Sequence, residues 1–345
     1  MLRLVRQTIV LADVAALTAV LALLVGYRLG PERFWVFSLA QYVPYPLMLL
    51  PLLGLSIVSV LVRTRWWMLP ATGCVLIATL LMGLEWHSGQ PGVQPIRVMT
   101  FNIKDYITLQ SAAGLSELQH EIDRHDPDIL MLQDARYFNA DRIAERDGDA
   151  VFGSRRSRYA FGQYVIASRH PLSDCRQGYI SFRNEPHTFA TCVVTIGGRA
   201  VTLITTHFMT PRFGLAAARF NLLTGVEVWN DNVDDRMTQS QELAAAIESR
   251  NTPVIVAGDL NAPDSSLVVR GLLNTGLRDA FSEAGRGYGF TWGHSLRPHI
   301  PFLRIDHILV SAEFRVGSAF VGNAAGSAHR PVISDIYFTA SQSQR

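Results

Sequence analysis

Lysine is nearly absent from this chain: Lys104 is the only one among 31 lysine and arginine residues. Codon bias explains that imbalance most cheaply, although arginine also suits bidentate contacts to phosphate. Cysteine is scarce too. Cys74, Cys175 and Cys192 match no zinc or redox spacing and cannot build the dense framework of a small secreted domain. Cys74 lies in an apolar run. Cys175 and Cys192 fall in segments that read as successive strands of a meander, where a disulfide or two buried thiols would both fit. A basic excess is missing as well. The net charge of +2 comes mostly from the N-terminal segment and leaves the rest nearly neutral, which counts against a sequence-independent nucleic-acid binder. The chain has no internal repeat and no low-complexity tract.

Long apolar runs, in contrast, are plentiful. Ile9 to Tyr27 carries one charge, Asp13, while Phe34 to Val62 and Trp66 to Leu84 carry none. Each run reaches the roughly 20 residues that a helix needs to cross a ~30 Å hydrocarbon layer. A cleaved signal peptide would account for the first run but not for the other two. Residues 1–88 are therefore expected to form a membrane anchor of three transmembrane helices, the second kinked by Pro44, Pro46 and Pro51. Trp35, Trp66, Trp67 and Trp86 stand near the run ends, where amphipathic rings prefer the headgroups. Asp13 either finds a partner or sits close enough to an end to be hydrated. Arg3, Arg6, Arg63 and Arg65 outweigh Arg28, Arg33 and Glu32, so the positive-inside rule places the following domain outside the cytoplasm. The expectation is a multi-pass membrane protein. Residues 89–95 read as a short linker, 96–340 as one soluble domain and 341–345 as a tail.

Within that domain, apolar strands end repeatedly in chemistry-bearing residues. Val254–Gly258 is an apolar run that stops at Asp259 and Asn261, two residues apart and so pointing the same way. A carboxylate beside an amide suits water activation next to a phosphate, and an ordinary Asp/Asn turn explains the same pair. Arg97–Phe101 leads to Asn102, and Asp128–Gln133 leads to Asp134. Gly162–Ala167 leads to Ser168, Val201–Thr206 to His207, and Arg304-Ile305-Asp306 opens another apolar run before Ser327-Ala328-His329.

The order and strand-end placement of these segments resemble the endonuclease/exonuclease/phosphatase superfamily, which includes DNase I-like nucleases, sphingomyelinases and inositol-phosphate phosphatases. The resemblance spans about Pro95 to Phe338. It implies an α/β fold of two packed mixed β-sheets flanked by helices, a four-layer α-β-β-α sandwich. It also implies metal-dependent phosphoester hydrolysis. On the resemblance, Asn102 and Asp134 are metal ligands, and an oxygen-only site suits Mg²⁺ or Mn²⁺. Asp259 matches the water-activating aspartate, and Asn261 a donor to a phosphate oxygen. His207 and His329 match the histidines that hold and protonate the phosphoryl group, with Asp306 orienting His329. Arg236 and Gln239, opening a helix that runs through Ile247, read as scaffolding.

Two positions depart from the family pattern. Asp134 stands where glutamate is usual, about 1.5 Å shorter in reach. Ala328 stands where the final motif usually carries aspartate, which puts a second metal position in doubt. The apolar stretch from Phe208 through Phe213, Leu215, Phe220, Leu222 and Leu223 to Trp229 either packs as a helix or meets lipid, with Arg212 and Arg219 placed for headgroup phosphates. The layout looks like membrane-anchored bacterial members associated with glycopeptide resistance. The reading is a Mg²⁺-dependent phosphohydrolase acting on a lipid-borne phosphate ester or pyrophosphate, undecaprenyl pyrophosphate being one candidate. An extracytoplasmic nuclease and a catalytically impaired phosphate-binding module are the alternatives.

Overall fold

Proline and strand alternation, more than hydropathy, decide how the chain is laid out in the computed structural model, which describes residues 2–139, 141–153, 156–183, 185–293 and 300–339. The expected 341–345 tail lies outside the described residues. Two units are present: Met1–Leu84 with Ser265–Leu267, and Glu85–Asp264 with Val268–Arg345.

The first unit corrects the expectation of three spanning helices. Helix α1 (Leu2–Leu29) is, among the described residues, the single helix long and apolar enough to cross a membrane. The second apolar run breaks around Pro44 into α2 (Trp35–Ala40) and α3 (Tyr45–Leu61). The third forms a shorter apolar helix, Arg65–Leu81, with α4 (Met68–Leu76) at its centre between a 3₁₀ turn and a π turn. At 1.5 Å per residue, 17-residue helices reach about 25 Å, short of a ~30 Å hydrocarbon core. Hydropathy counts apolar residues and not backbone continuity. Proline, lacking an N–H donor, removes that continuity. Asp13 is buried, and the Ser59 hydroxyl donates to its carboxylate at 2.9 Å, so pairing and not hydration satisfies it.

Among the described residues twelve strands of the second unit form two six-stranded sheets, and Glu85–Trp86 pairs with Arg286–Gly287 in a separate two-stranded one. In chain order the twelve are β1 (Ile96–Asn102), β2 (Ile129–Gln133), β3 (Ser157–Phe161), β4 (Tyr164–Ser168), β5 (Leu172–Tyr179) and β6 (Thr188–Ile196). They continue as β7 (Arg199–His207), β8 (Val254–Asp259), β9 (Arg278–Asp279), β10 (Asp306–Val310), β11 (Phe314–Val321) and β12 (Val332–Phe338). One sheet runs β11-β12-β1-β2-β4-β3 and the other β9-β10-β8-β7-β6-β5. Each is mixed: β1 and β2 are parallel in one, β7 and β8 in the other, and antiparallel strands flank both pairs.

Alternation along each strand produces the layers. Val98, Ile129, Met131, Leu203, Ile255, Ala257, Ile308 and Val310 fill the space between the sheets. Their neighbours Met99, Leu130 and Leu132 pack outward with Leu118 and Ile122 of α5 (Gly114–His125) and Val151 and Phe152 of α6 (Asp141–Phe152). On the other side Ile204, Val254 and Val256 pack with Leu243 and Ile247, which lie on a long helix, and with Val268 and Leu272. The four-layer α-β-β-α arrangement is the expected one.

The apolar stretch after His207 is helical. Helix α7 (Arg212–Phe220) is followed by α8 (Leu222–Glu248), which starts well before Arg236. Phe208 and Trp229 are buried, whereas Phe213 and Phe220 are exposed. The side chains of Leu222 and Leu223 lie outside the described residues.

A disulfide joins Cys175 on β5 to Cys192 on β6, beside an irregularity in their pairing, and Cys74 is free. The bridge closes a loop 17 residues apart in sequence, for which chain entropy alone predicts about 3 kcal/mol of stabilisation. Cys175→Ser should therefore lower the unfolding free energy by about 3 kcal/mol under oxidising conditions, and the gap to wild type should close when both are unfolded in reductant. An equal gap in both conditions would show that the bridge contributes nothing.

Candidate active site

Polar residues replace apolar ones on the inner faces of both sheets as their strands approach one end. Along β1 the inward positions read Val98, Thr100, Asn102. Along β2 they read Ile129, Met131, Gln133; along β7, Leu203, Thr205, His207; and along β8, Ile255, Ala257, Asp259. The first polar row is self-satisfied: the Gln133 amide donates across to Thr205 Oγ1 at 2.8 Å and to Thr100 Oγ1 at 3.0 Å. The next row is the site.

Asp259 stands at its centre. Register places His207 opposite Asp259 on the parallel strand β7, and Asp306 opposite it on the antiparallel strand β10. Gly258 is required just before it, because a Cβ there would lie 2.0 Å from the Thr206 carbonyl oxygen. The Asn102 amide crosses from the other sheet and donates to Asp259 Oδ2 at 2.9 Å. The backbone N–H of Asn261 donates to Oδ1 at 2.9 Å, with Asn261 in the left-handed region at φ 48°. His207 Nε2 and His329 Nε2 lie 3.4 and 3.8 Å from Oδ2.

The two imidazoles are tuned in opposite directions. Burial pushes His207 below its ordinary value of 6.5, against the pull of Asp259 and Asp134. Its Nδ1 lies 2.8 Å from Gln163 Oε1, an acceptor, so that nitrogen carries the proton. Burial works the same way on His329, but Asp306 and Asp259 outweigh it and raise its pKa. Asp306 Oδ2 accepts from His329 Nδ1 at 2.9 Å. Ser327 fixes the approach of His329, donating to the Asn102 carbonyl at 2.8 Å and accepting from the His329 N–H at 3.1 Å. Ala328, between them, offers no ligand atom.

The seven expected site residues thus come together, though not all in the expected posture. Asn261 donates its amide to the Phe208 carbonyl at 2.8 Å. Arg236 is a buried scaffold whose guanidinium donates to the Asn261 carbonyl at 3.1 Å, and Gln239 accepts from the Met209 N–H. Asn102 and Asp134 do not form a joint set of free oxygens. Asn102 Oδ1 accepts from the Lys104 N–H, and the Asp134 carboxylate holds Lys104 Nζ at 2.9 Å and Arg136 Nη1 at 3.2 Å. A different group fits a divalent cation among the described residues. Ligand atoms of Asp259, Asp306 and His329 lie within 4.8 Å of one another, and Asp306 Oδ1 is buried without a hydrogen-bond partner.

Beneath the site, on the outward side of β10, His307 bridges Asp279 at 2.7 Å and the Ala262 carbonyl at 3.0 Å. Arg304 joins the same carboxylate at 2.9 Å. This buried network fixes β10 against the turn that follows Asp259. Lys104, Gln163, Ser327 and His307 were not anticipated in these roles. For Lys104 a signal was available: the one lysine of the chain stands two residues after Asn102.

The sequence matches the endonuclease/exonuclease/phosphatase family over residues 99–335. A solved family protein from Beutenbergia cavernae has a TM-score of 0.55 at 19% identity, over 72% of this chain and 73% of its own. A mannosyl-6-phosphatase from Bacteroides thetaiotaomicron has a TM-score of 0.52 at 14% identity, over 70% and 100%. D. rerio TDP2, solved with a single-strand DNA product, has a TM-score of 0.52 at 14% identity, over 71% and 100%. At these identities the likeness is one of fold. Among curated proteins none matches.

Burial alone would raise the Asp134 pKa, but His207, Lys104 and Arg136 hold it down to about 2. A folded-state value below the unfolded one adds stability above pH ~4 that is lost as pH falls through about 2, worth about 2 kcal/mol. Asp134→Asn should therefore be less stable than wild type by about 2 kcal/mol at pH 7 in urea unfolding, with the gap narrowing from pH 4 to pH 2. A pH-independent gap would sink this account of the pair.

Proposed function

Because this chain belongs to the endonuclease/exonuclease/phosphatase family, we propose that it hydrolyses phosphoester or pyrophosphate bonds, with Asp259 at the reacting centre. The observation that carries this reading is a buried carboxylate flanked by two imidazoles whose affinities for a proton are pushed apart. Such a pair divides acid from base duties at one pH.

Asp259 is the base that takes a proton from the attacking water. The Asn102 amide and the Asn261 N–H fix its two oxygens, so Asn261 acts as a positioning residue. His207, neutral through burial with its proton on Nδ1, turns an accepting Nε2 toward the attacking water, while His329, favoured as imidazolium, holds a phosphoryl oxygen and gives its proton to the leaving oxygen. Asp306 fixes the tautomer of His329 and stabilises its charge. Mg²⁺ or Mn²⁺ would be held by Asp259, Asp306 and His329 and would supply positive charge to the phosphoryl oxygens. With the proton on His329 Nε2 during turnover, the ion would rest on Asp259 and the unpartnered Oδ1 of Asp306 alone.

For the substrate we favour a phosphate ester or pyrophosphate carried on lipid. The support is α1, long and apolar enough to anchor the chain in a membrane, and the exposed aromatic rings of Phe213 and Phe220 on α7. With α1 as the one span, Arg3 and Arg6 ahead of it are matched by Arg28 and Arg33 behind it, so the positive-inside rule sets no orientation for the second unit. The relatives lend no support to undecaprenyl pyrophosphate in particular. The rival substrate class is nucleic acid: a relative of the same fold was solved with single-strand DNA, but the near-neutral charge after the N-terminal segment speaks against it.

Detergent-purified full-length protein, given lipid phosphates, lipid pyrophosphates and oligonucleotides, should release phosphate from a lipid. Asp259→Asn should lose about 10³-fold in turnover while circular dichroism still reports a folded protein. Turnover that survives in this variant removes Asp259 as the base, and cleavage of oligonucleotides alone makes the protein a nuclease. Chelator should abolish turnover; activity that persists leaves the imidazolium as the site's acid without an ion.

The pH dependence of kcat/KM should be a bell with its acid limb below 6.5, from His207, and its alkaline limb above 6.5, from His329. His329→Gln should leave a slow enzyme without the alkaline limb. Retention of that limb would assign it to another group.

A further inference from the structure

The Asp134 position lacks the free oxygens that an ion needs, and the reason is Lys104. Its ammonium is 2.9 Å from Asp134 Oδ2, and both side chains are largely buried, 18% and 6% exposed. Arg136 takes the other oxygen at 3.2 Å, and His207 Nδ1 lies 3.7 Å from that same atom. Both carboxylate oxygens are therefore neutralised from within the chain.

Lys104 is built into this place. It follows Asn102 by two residues and adopts φ 45°, a left-handed conformation that a lysine rarely takes. Asn102 Oδ1 secures the turn by accepting the Lys104 N–H at 3.2 Å. An ammonium has three N–H donors, and Asp134 uses one. Every other basic residue in the chain is arginine. A compact ammonium comes nearer than a planar guanidinium to the size and charge density of a bound ion. Ala328 points the same way, because it offers an ion no carboxylate.

We infer that Lys104 is the resident cation of this site: its ammonium takes the place of a divalent ion at Asp134 and contacts the substrate's phosphate. This rests on the reading of the site as a phosphoester hydrolase only in naming the ligand; phosphate binding and ion binding can be measured without turnover. The site then holds at most one divalent ion, at Asp259, Asp306 and His329.

Isothermal titration of the full-length protein with orthophosphate, and separately with Mn²⁺, tests the proposal on wild type, Lys104→Met and Lys104→Arg. Lys104→Met should bind orthophosphate about tenfold more weakly, the loss of one charged phosphate contact, and should bind one more equivalent of Mn²⁺ than wild type because Asp134 is freed. Lys104→Arg, which keeps the charge and the ion pair, should recover most of the phosphate affinity and gain no Mn²⁺. A merely structural role for Lys104 predicts no gain of an ion site. Unchanged phosphate affinity in folded Lys104→Met, or no phosphate binding by wild type, overturns the proposal. Should Lys104→Met not fold, a Lys104→Arg variant that gains a Mn²⁺ equivalent does the same. Lys104-dependent phosphate binding without hydrolysis of any substrate would sink the hydrolase reading and leave this one standing.

Discussion

The hydrogen bond from the Asn102 amide to Asp259 joins the two sheets at the point where their shared apolar layer ends. A carboxylate buried there is costly unless donors reach it, and only the facing sheet and the local turn can supply them. The donor from across the sheets fixes their separation at that edge, and the Asn261 N–H fixes the direction of the strand tip. Everything else in the site is placed by register from this pair. His207 lies opposite Asp259 along β7, Asp306 lies opposite it along β10, and His329 reaches it through Asp306.

Period-two alternation made much of this legible in the sequence. Asn102, His207 and Asp259 share the inward parity of the apolar residues before them, and Asp306 that of Ile308 and Val310 after it, so a strand pattern predicts a common face. Gln163, Ser327 and His307 were not legible in the same way. Their roles depend on which loop meets which strand end, and neither periodicity nor composition carries that information. The Cys175–Cys192 bridge is intermediate. A meander brings the two strands together, but the irregular pairing between Ser173 and Arg176 that brings the cysteines together is a matter of register.

The N-terminal segment shows the opposite failure. Hydropathy and the absence of charge marked three runs of equal promise, yet continuity of backbone hydrogen bonding separates α1 from the others. Pro44 shortens the second helix, and the third ends at Leu81 after a π turn. Asp13 in α1, with Ser59 donating to it, ties the long helix to α3 through the internal pairing that a buried carboxylate demands.

Asp134, Lys104 and Ala328 make one electrostatic argument when taken together. Relative to the family pattern the chain shortens one carboxylate, omits another at Ala328 and carries an ammonium against the first. The last two lower the negative charge available to attract a second divalent ion and raise the attraction for a phosphate dianion, while the first shortens the reach of a ligand without changing its charge. Asp134 or Ala328 alone would weaken an ion site without replacing its charge. In combination they are self-consistent: the shorter Asp134 meets Lys104 at hydrogen-bond distance, and although burial disfavours the charged lysine, Asp134 and Asp259 outweigh it and raise its pKa. Had Ala328 been the single departure, loss of function would be the simpler account. With a cation already seated two residues beyond Asn102, the same position reads as the counterpart of a charge supplied from within the chain.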